Sequence, residues 1–408
     1  MKMFFRKKHI VSTDVVSKTA LQKFFHHKTS LISVVFIGLL FLVALLGYVI
    51  TPDSTPYANR QLLELSTKKP GFSVSMLAVR NNSADQKASF FSRMLFGEKS
   101  DFKLIPIQQY HFTDSTLEYN EYSDESESVS KSIAISDIVY AVSPESKQKM
   151  LDKSTVSWID LEGKTHVEKV ADLKQKIIKD HILKQTFWLG TDLFGRDYLS
   201  QLIIGARVSL SVGFISVMIS LLIGVLLGSL AGYFKGWVDN LIMWFINVVW
   251  SIPTLLLVIA ITFALGKGFW QVFIAIGLTM WVEVARVVRG QIISIRELEY
   301  VEAARALGFS NLRIIFRHIL PNVTSSIIII SAANFASAIL IEAGLSFLGI
   351  GVQPPMPSWG MMIKENYRFI ILDSPYLAIV PGLAIMLVVL AFMVIGNQLR
   401  DVLNVKEQ

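Results

Sequence analysis

No cysteine occurs among the 408 residues, which excludes a disulfide framework and a thiolate metal site. Charge is scarce too: Asp, Glu, Lys and Arg make up 17% of the chain against 52% hydrophobic residues, a balance rare in soluble domains. There is no H-E-x-x-H, and the 7 histidines show no ligand spacing, so no metal site is expected. His26-His27 beside an apolar run reads as an interfacial pair. No Gly-x-Ser-x-Gly elbow is present. Gly163-Lys164-Thr165 resembles the end of a phosphate-binding loop, but Trp158 stands where the earlier glycine belongs. The chain is therefore expected to have no catalytic residues, no cofactor and no ATPase site, and any energy must come from a partner.

What the chain does have is apolar length, with a mean hydropathy of +0.49. The net charge of +7 invites a nucleic-acid reading. However, Lys and Arg cluster at the N-terminus and in one short loop between apolar runs, as membrane orientation requires, so no nucleic acid is expected. Leu31–Ile50 is about twenty residues long, enough to cross a ~30 Å hydrocarbon core. A signal peptide has a shorter apolar core and a small-x-small cleavage site, whereas Thr51 and Pro52 follow here. The run is read as a retained anchor. Lys2, Arg6, Lys7, Lys8, Lys18, Lys23 and Lys28 precede it with Asp14 as the lone acid, so residues 1–30 are placed in the cytoplasm.

Residues 51–187 differ from the rest: polar, charge-balanced, and with an acidic serine run at 123–128. Alternation at Ile133–Val142 and Thr155–Ile159 predicts strands, Lys164–Leu183 an amphipathic helix, and 115–130 an irregular stretch. This segment is expected to be a folded α+β extracytoplasmic insertion. Five further apolar segments follow, near 208–232, 239–265, 269–288, 323–347 and 374–396. The expected fold class is thus an all-α polytopic membrane protein of six transmembrane helices, with the insertion after helix 1. Both termini are expected inside, with 289–322 a cytoplasmic loop and 401–408 a cytoplasmic tail. Arg286, Arg289, Arg296, Arg305, Arg313 and Arg317 flank or fill that loop, while the opposite turn at 266–268 carries Lys267 alone. Pro253 is expected to kink the third helix. Frequent Gly, Ser and Ala let helices approach closely where lipid supplies no hydrophobic drive.

The inner loop is unusual for a connector. Glu297–Leu307 is rich in helix formers and Gly308 offers a left-handed stop. Asn311–Leu320 is predicted to form a second helix ended by Pro321. Glu302-Ala303-Ala304-Arg305-Ala306-Leu307-Gly308, continuing to His318-Ile319-Leu320-Pro321, resembles the coupling loop of ABC-importer permeases. Two more blocks are similar to the dipeptide/oligopeptide/nickel subfamily. Leu189-Gly190-Thr191-Asp192-Leu193-Phe194-Gly195-Arg196-Asp197 leads to Gly205-Ala206-Arg207 before the second helix. Gly344-Leu345-Ser346-Phe347-Leu348-Gly349-Ile350-Gly351, with Gln353-Pro354-Pro355 and Pro357-Ser358-Trp359-Gly360, follows the fifth. The resemblance covers about 188–400, and the chain looks like the second, C-type permease of a pair.

The resemblance implies the type I ABC importer permease fold in a bacterial inner membrane. It implies transport of peptides, with nickel or another small solute as the alternative. Implied partners are a second permease, two cytoplasmic ABC ATPase subunits, an extracytoplasmic solute-binding protein and membrane lipid. Glu302, Ala303, Ala304, Arg305, Gly308 and Pro321 would form the surface that meets the ATPase. Asp192, Arg196, Asp197 and Arg207 sit near the outer interface, where they are expected to brace the extracytoplasmic gate, to meet a binding protein, or to cap and orient the second helix. Glu283 and Glu342 fall within apolar segments, where a charge is costly; each is expected to pair with an arginine or line the pathway. Trp359 is expected to anchor at the interface. Two features depart from the subfamily: the long 51–187 segment, and Trp244-Phe245-Ile246-Asn247 where an arginine and an aspartate are expected. A membrane-anchored sensor using 51–187 and an intramembrane enzyme using Glu283 and Glu342 are the competing classes.

Overall fold

The computed structural model describes residues 22–82, 89–124, 129–143, 148–152, 154–266 and 268–404. Lys2, Arg6, Lys7, Lys8, Lys18, Lys267 and the acidic serines beyond Asp124 lie outside that range. Five helices are long and apolar enough to cross a membrane, and a bent pair gives up to six. The five begin with α1 (Lys28–Ile50). Three short helices then lie in the polar region: α2 (Phe90–Phe96), α3 (Ile135–Val139) and α4 (Val170–Lys176). Next come α5 (Tyr198–Phe234), the bent pair α6 (Gly236–Trp250) and α7 (Thr254–Leu265), and α8 (Phe269–Ile295). The chain closes with α9 (Glu299–Ala306), α10 (Asn311–Ile314), α11 (Leu320–Phe347), α12 (Trp359–Asn366) and α13 (Tyr376–Asn404).

The helix bundle is organised by α5, whose small residues recur about every fourth position. Gly224, Gly228 and Gly232 meet α8 so closely that an added Cβ would lie 2.5 Å from the Val284 Cβ, 2.5 Å from the Ala285 carbonyl oxygen and 2.9 Å from that of Arg289. A Cβ on Gly277 would lie 2.7 Å from Ile219, and Ser216 Oγ donates to the Phe273 carbonyl at 3.1 Å. Partner numbers rise together along both helices, so α5 and α8 are parallel. By contrast α11 is antiparallel to α5, since Gly213 meets Phe335 and Ser209 meets Glu342. α13 is antiparallel to α11, with Phe335 stacked on Phe392 at 4.0 Å and Gly396 against Ala332. α1 runs antiparallel to α5: Gly47 packs on Ile204, while Phe41 and Phe214 line one groove. The start of α1 and the end of α13 meet, with His26 and His27 beside Asp401.

The third apolar segment is not one kinked helix: α6 ends at Trp250, α7 starts at Thr254, and the two meet at 92°. Pro253 removes an amide and disfavours helical geometry for Ile252, so the helix breaks rather than bends. Apolar windows also under-read helix length. α5 spans 37 residues, or ~55 Å at 1.5 Å per residue, and α8 continues to Ile295.

Between α1 and α5 stands a five-stranded antiparallel sheet, ordered β4-β3-β2-β1-β8. Its strands are β1 (Phe72–Arg80), β2 (Phe102–Phe112), β3 (Thr116–Glu121), β4 (Ser130–Ala134) and β8 (Ile182–Phe187). A second sheet holds β5 (Lys149–Met150), β6 (Thr155–Ile159) and β7 (Thr165–Lys169). Leu77, Ile107, Leu117, Ile135, Trp158 and Leu173 form their common core. The predicted β6 is present. Three expectations fail here. Ile133–Val142 is a strand end followed by α3. The predicted helix 164–183 is β7, α4, a π-turn at Ile177–His181 and the start of β8. Thr116–Glu121, within the stretch expected to be irregular, is paired β3. At 164–183 cross-strand pairing of both ends overrides local helical periodicity, whereas Ile135 and Ile138 turn inward on a short helix that packs in the sheet core. Gly163 and Lys164 lie in the β6–β7 hairpin turn, with Gly163 at φ +83°, Thr165 opens β7, and Trp158 is a core residue.

Candidate functional site

At the end of the bundle where α1 starts and α13 finishes, α8 passes into α9 through a three-residue break, 296–298. Val301 and Ala304 of α9 are buried against Ile314, Ile315, Ile319 and Ile292. Apolar packing fixes this helix, since eight residues are too few for a stable isolated helix. The helix ends in a Schellman motif: the Phe309 amide donates to the Ala304 carbonyl at 3.2 Å and the Gly308 amide to that of Arg305 at 3.0 Å. Gly308 adopts φ +77°, the left-handed geometry this motif needs. The opposite face is open: Glu302, Ala303, Arg305 and Gly308 are exposed, and Leu307 is 73% exposed. Among the described residues Glu302 has no ion-pair partner.

The loop is tied to the end of α5. Tyr233 Oη donates to Asn311 Oδ1 at 2.8 Å, Arg296 donates to the Tyr233 carbonyl, and Lys235 pairs with Glu297 at 2.7 Å. Two expectations are corrected. Ala304 faces inward rather than toward a partner, because the 100° helical turn between residues sets Ala303 and Ala304 on different faces. Pro321 does not end a helix: Asn311–Phe347 is continuous and Pro321 lies in the first turn of α11. A π-turn at Ile315–Ile319 widens the helix just before it, where a proline ring would clash in a regular α-turn. Pro321 remains exposed beside this surface.

At the other end, Asp192, Arg196 and Asp197 form a buried collar. Asp192 Oδ1 accepts from the Phe194 and Arg196 amides at 2.9 Å, and Oδ2 meets Arg196 Nε at 2.5 Å. Arg196 Nη2 reaches Glu365 of α12 at 2.5 Å. Burial works against the Arg196 charge, but Asp192 and Glu365 together outweigh it and its pKa is raised. Asp197 is the N-cap of α5, accepting from the Ser200 amide at 2.7 Å and hydroxyl at 2.6 Å. Burial raises its carboxyl above the usual range, with Ser200 partly offsetting this. The collar also clasps residues 62–68: Thr191 Oγ1 bonds to the Leu65 carbonyl and accepts from the Lys68 amide, and Leu62 donates to the Phe194 carbonyl at 3.1 Å. A Cβ on Gly195 would lie 1.7 Å from the Leu62 oxygen. Arg207 stands apart, donating to the Met94 carbonyl at 3.1 Å with its guanidinium 5.6 Å from the Tyr48 ring.

Of the two expectations for Glu342, the arginine pair is not found among the described residues. Glu342 is fully buried, accepting from Ser346 Oγ at 2.7 Å and Ser209 Oγ at 3.4 Å. Hydroxyls can satisfy a carboxyl in whichever protonation state burial selects. Glu283 is exposed and opens on a cavity of about 320 Å³ beside the α6–α7 break, with Trp250, Thr254, Thr279 and Ser337; among the described residues it too has no arginine partner. Trp359 is buried, donating through Nε1 to the Leu202 carbonyl at 3.0 Å, and is not an interfacial anchor.

Some polar partners were not legible in the chain. Arg289 forms a two-bond pair with Asp239 at 2.5 and 2.7 Å. Arg286 donates to Asn247 at 3.0 Å and lies 3.5 Å from the Trp250 ring centre. The Trp244–Asn247 stretch itself carries no acid: Asn247 is the acceptor there, and the acid that pairs on this helix is Asp239. Glu365, completing the collar, lies far along the chain from Arg196 and gave no local signal.

Two family models match: a binding-protein-dependent transport system inner membrane component over residues 224–406, and the N-terminal transmembrane domain of oligopeptide transport permease C over 17–66. The glutathione transport system permease protein GsiD of Pectobacterium atrosepticum is 43% identical over 219 residues, 54% of this chain and 72% of that protein. The dipeptide transport system permease protein DppC of Alkalihalophilus pseudofirmus is 45% identical over 219 residues, with the same two shares, 54% and 72%. Among solved structures, an inward-facing conformation of the MetNI methionine ABC transporter aligns with TM-score 0.42 at 17% identity, covering 50% of this chain and 97% of that one.

Proposed function

The chain belongs to the inner-membrane component family of binding-protein-dependent transport systems, as a C-type permease of the dipeptide/oligopeptide class, and from that premise we propose how it works. Family members are multi-pass transport permeases, so the sensor and intramembrane-enzyme readings fall away. The solute is a small peptide, a class that embraces the glutathione and dipeptides in its relatives' names. A second permease completes the pathway, two separate ATPase subunits energise it, and an external binding protein delivers the solute.

The observation that carries this reading is the α9 surface: Glu302, Ala303, Arg305 and Gly308 exposed on a helix whose other face is locked to α5, α8 and α11. An ATPase docking there grips the inner ends of three long helices at once. Nucleotide-driven closure then moves the inner end of the pathway, provided the ATPase binds its two states differently. The collar of Asp192, Arg196, Asp197 and Glu365 serves as the fixed outer fulcrum. Glu283, at the α6–α7 break, faces the pathway; Glu342 is a buried structural hub, and Arg207 braces α2.

Six crossings fit this arrangement. Parallel α5 and α8 require the chain to return between them, and the bent α6–α7 pair supports a broken sixth span. Both termini, α9 and the tail 401–408 then lie in the cytoplasm, and 51–187 forms an extracytoplasmic insertion. The separation of the two matched ranges by residues 67–223 supports that placement. Uptake of labelled dipeptide, glutathione and nickel by cells with and without this chain tests the solute. Peptide uptake that requires the chain supports the proposal; chain-dependent nickel uptake without peptide uptake selects the alternative.

A further inference from the structure

The short helix α2, Phe90-Phe91-Ser92-Arg93-Met94-Leu95-Phe96, belongs to no core, yet its position is tightly determined. Phe90 is 61% exposed, Phe91 70% and Phe96 70%, with Leu95 also exposed. Three open phenylalanines in seven residues are an expensive surface for a segment in water.

Where the helix sits resolves the cost. Gly97, at φ +75°, ends it against the outer end of α1, where an added Cβ would lie 2.8 Å from the Ser54 carbonyl and 3.1 Å from Tyr48. The Glu98 amide donates to that Ser54 carbonyl at 2.9 Å. From the other side Arg207 of α5 donates to the Met94 carbonyl at 3.1 Å while covering the Tyr48 ring. Tyr48 lies in the last turn of α1, and Arg207 is the last charge before the apolar stretch of α5. On α8, Ser216 meets Phe273, which sets the first residue, Phe269, about level with Val212. The apolar layer therefore ends within about a turn of Arg207, and α2 lies at that boundary. Arg93, 47% exposed, pairs with Glu98 at 3.5 Å.

We infer that α2 is an interfacial foot, inserting Phe90, Phe91 and Phe96 into the lipid headgroup and upper acyl region and seating the sheet domain on the bilayer. Aromatic side chains favour this depth, and a short apolar helix lying in the membrane plane buries rings there without spanning. The occupant is lipid, because the helix is fastened at the lipid–water level of two spanning helices.

The chain's lack of cysteine makes the test direct. Single variants Phe91→Cys and Phe96→Cys, with Thr165→Cys on exposed β7 as reference, are labelled with an environment-sensitive fluorophore in the full transporter complex in nanodiscs. Blue-shifted emission at 91 and 96, quenched by lipids spin-labelled at the headgroup or upper chain, with neither effect at 165, is the expected result. Water-like emission at both positions would overturn the inference. So would a blue shift without lipid quenching, which would mean that a protein partner covers the helix.

Discussion

Arg196 reaches across the fold to Glu365, 2.5 Å away, while its Nε is held by Asp192 at the same distance. One guanidinium thus joins the start of α5 to α12, just before the last span. The first prediction follows from its burial. Arg196→Met leaves Asp192 charged and unpaired in a site where it is 2% exposed, at a cost of about 3–5 kcal/mol. Glu365→Gln leaves the Arg196–Asp192 pair intact and costs about 1.5 kcal/mol. Thermal unfolding of the detergent-solubilised complex is expected to rank them in that order.

Gly308 should be sensitive to backbone conformation rather than to size. A Cβ there meets nothing within 4 Å, yet its φ is +77°. Gly308→Ala is therefore expected to destabilise the α9 cap by about 1 kcal/mol, and Gly308→Asn by less, since asparagine tolerates left-handed geometry. Solute-stimulated ATPase activity of the reconstituted complex is expected to fall further in the alanine variant.

Within the bundle, Gly228 and Gly290 make a matched pair. An added methyl at 228 lies 2.5 Å from the Ala285 carbonyl, a backbone atom that cannot swing away, whereas at 290 it meets open space. Gly228→Ala is expected to cost about 1–3 kcal/mol and Gly290→Ala to change stability little. Comparing their melting temperatures checks this.

The collar has a pH signature. Burial raises the Asp197 carboxyl above its ordinary 3.8, so the folded state resists ionising it. Its contribution is most favourable when protonated in both states and is lost as pH rises through the folded pKa. Asp197→Asn, which keeps a capping oxygen but never ionises, is expected to gain stability relative to wild type between about pH 4 and pH 7. Parallel melts at the two pH values measure that difference, and a constant offset would contradict it.

Much of this architecture was legible because the membrane imposes simple rules. Leu31–Ile50 could be assigned from length alone, and the Glu302–Gly308 block located α9 and its left-handed stop. Errors arose where long-range packing overrules local pattern. Pro321 appeared to end a helix, but a preceding π-turn absorbs it; Trp359, apparently placed for an interface, fills the core. Lys164–Leu183 has helical periodicity, yet both its ends pair into sheets. Buried carboxylates were found by position but not by partner: serines satisfy Glu342, and Glu365 lies far from Arg196 in sequence.

The central claim is that the exposed face of α9 is where an ATPase grips the bundle. Copurification of the tagged chain from native membranes, comparing wild type with Glu302→Arg and Gly308→Asp, tests it most directly. An ATPase and a second permease are expected to accompany wild type, with both variants losing the ATPase while keeping the permease. Wild type purifying without an ATPase, or both variants retaining it in full, would contradict the account.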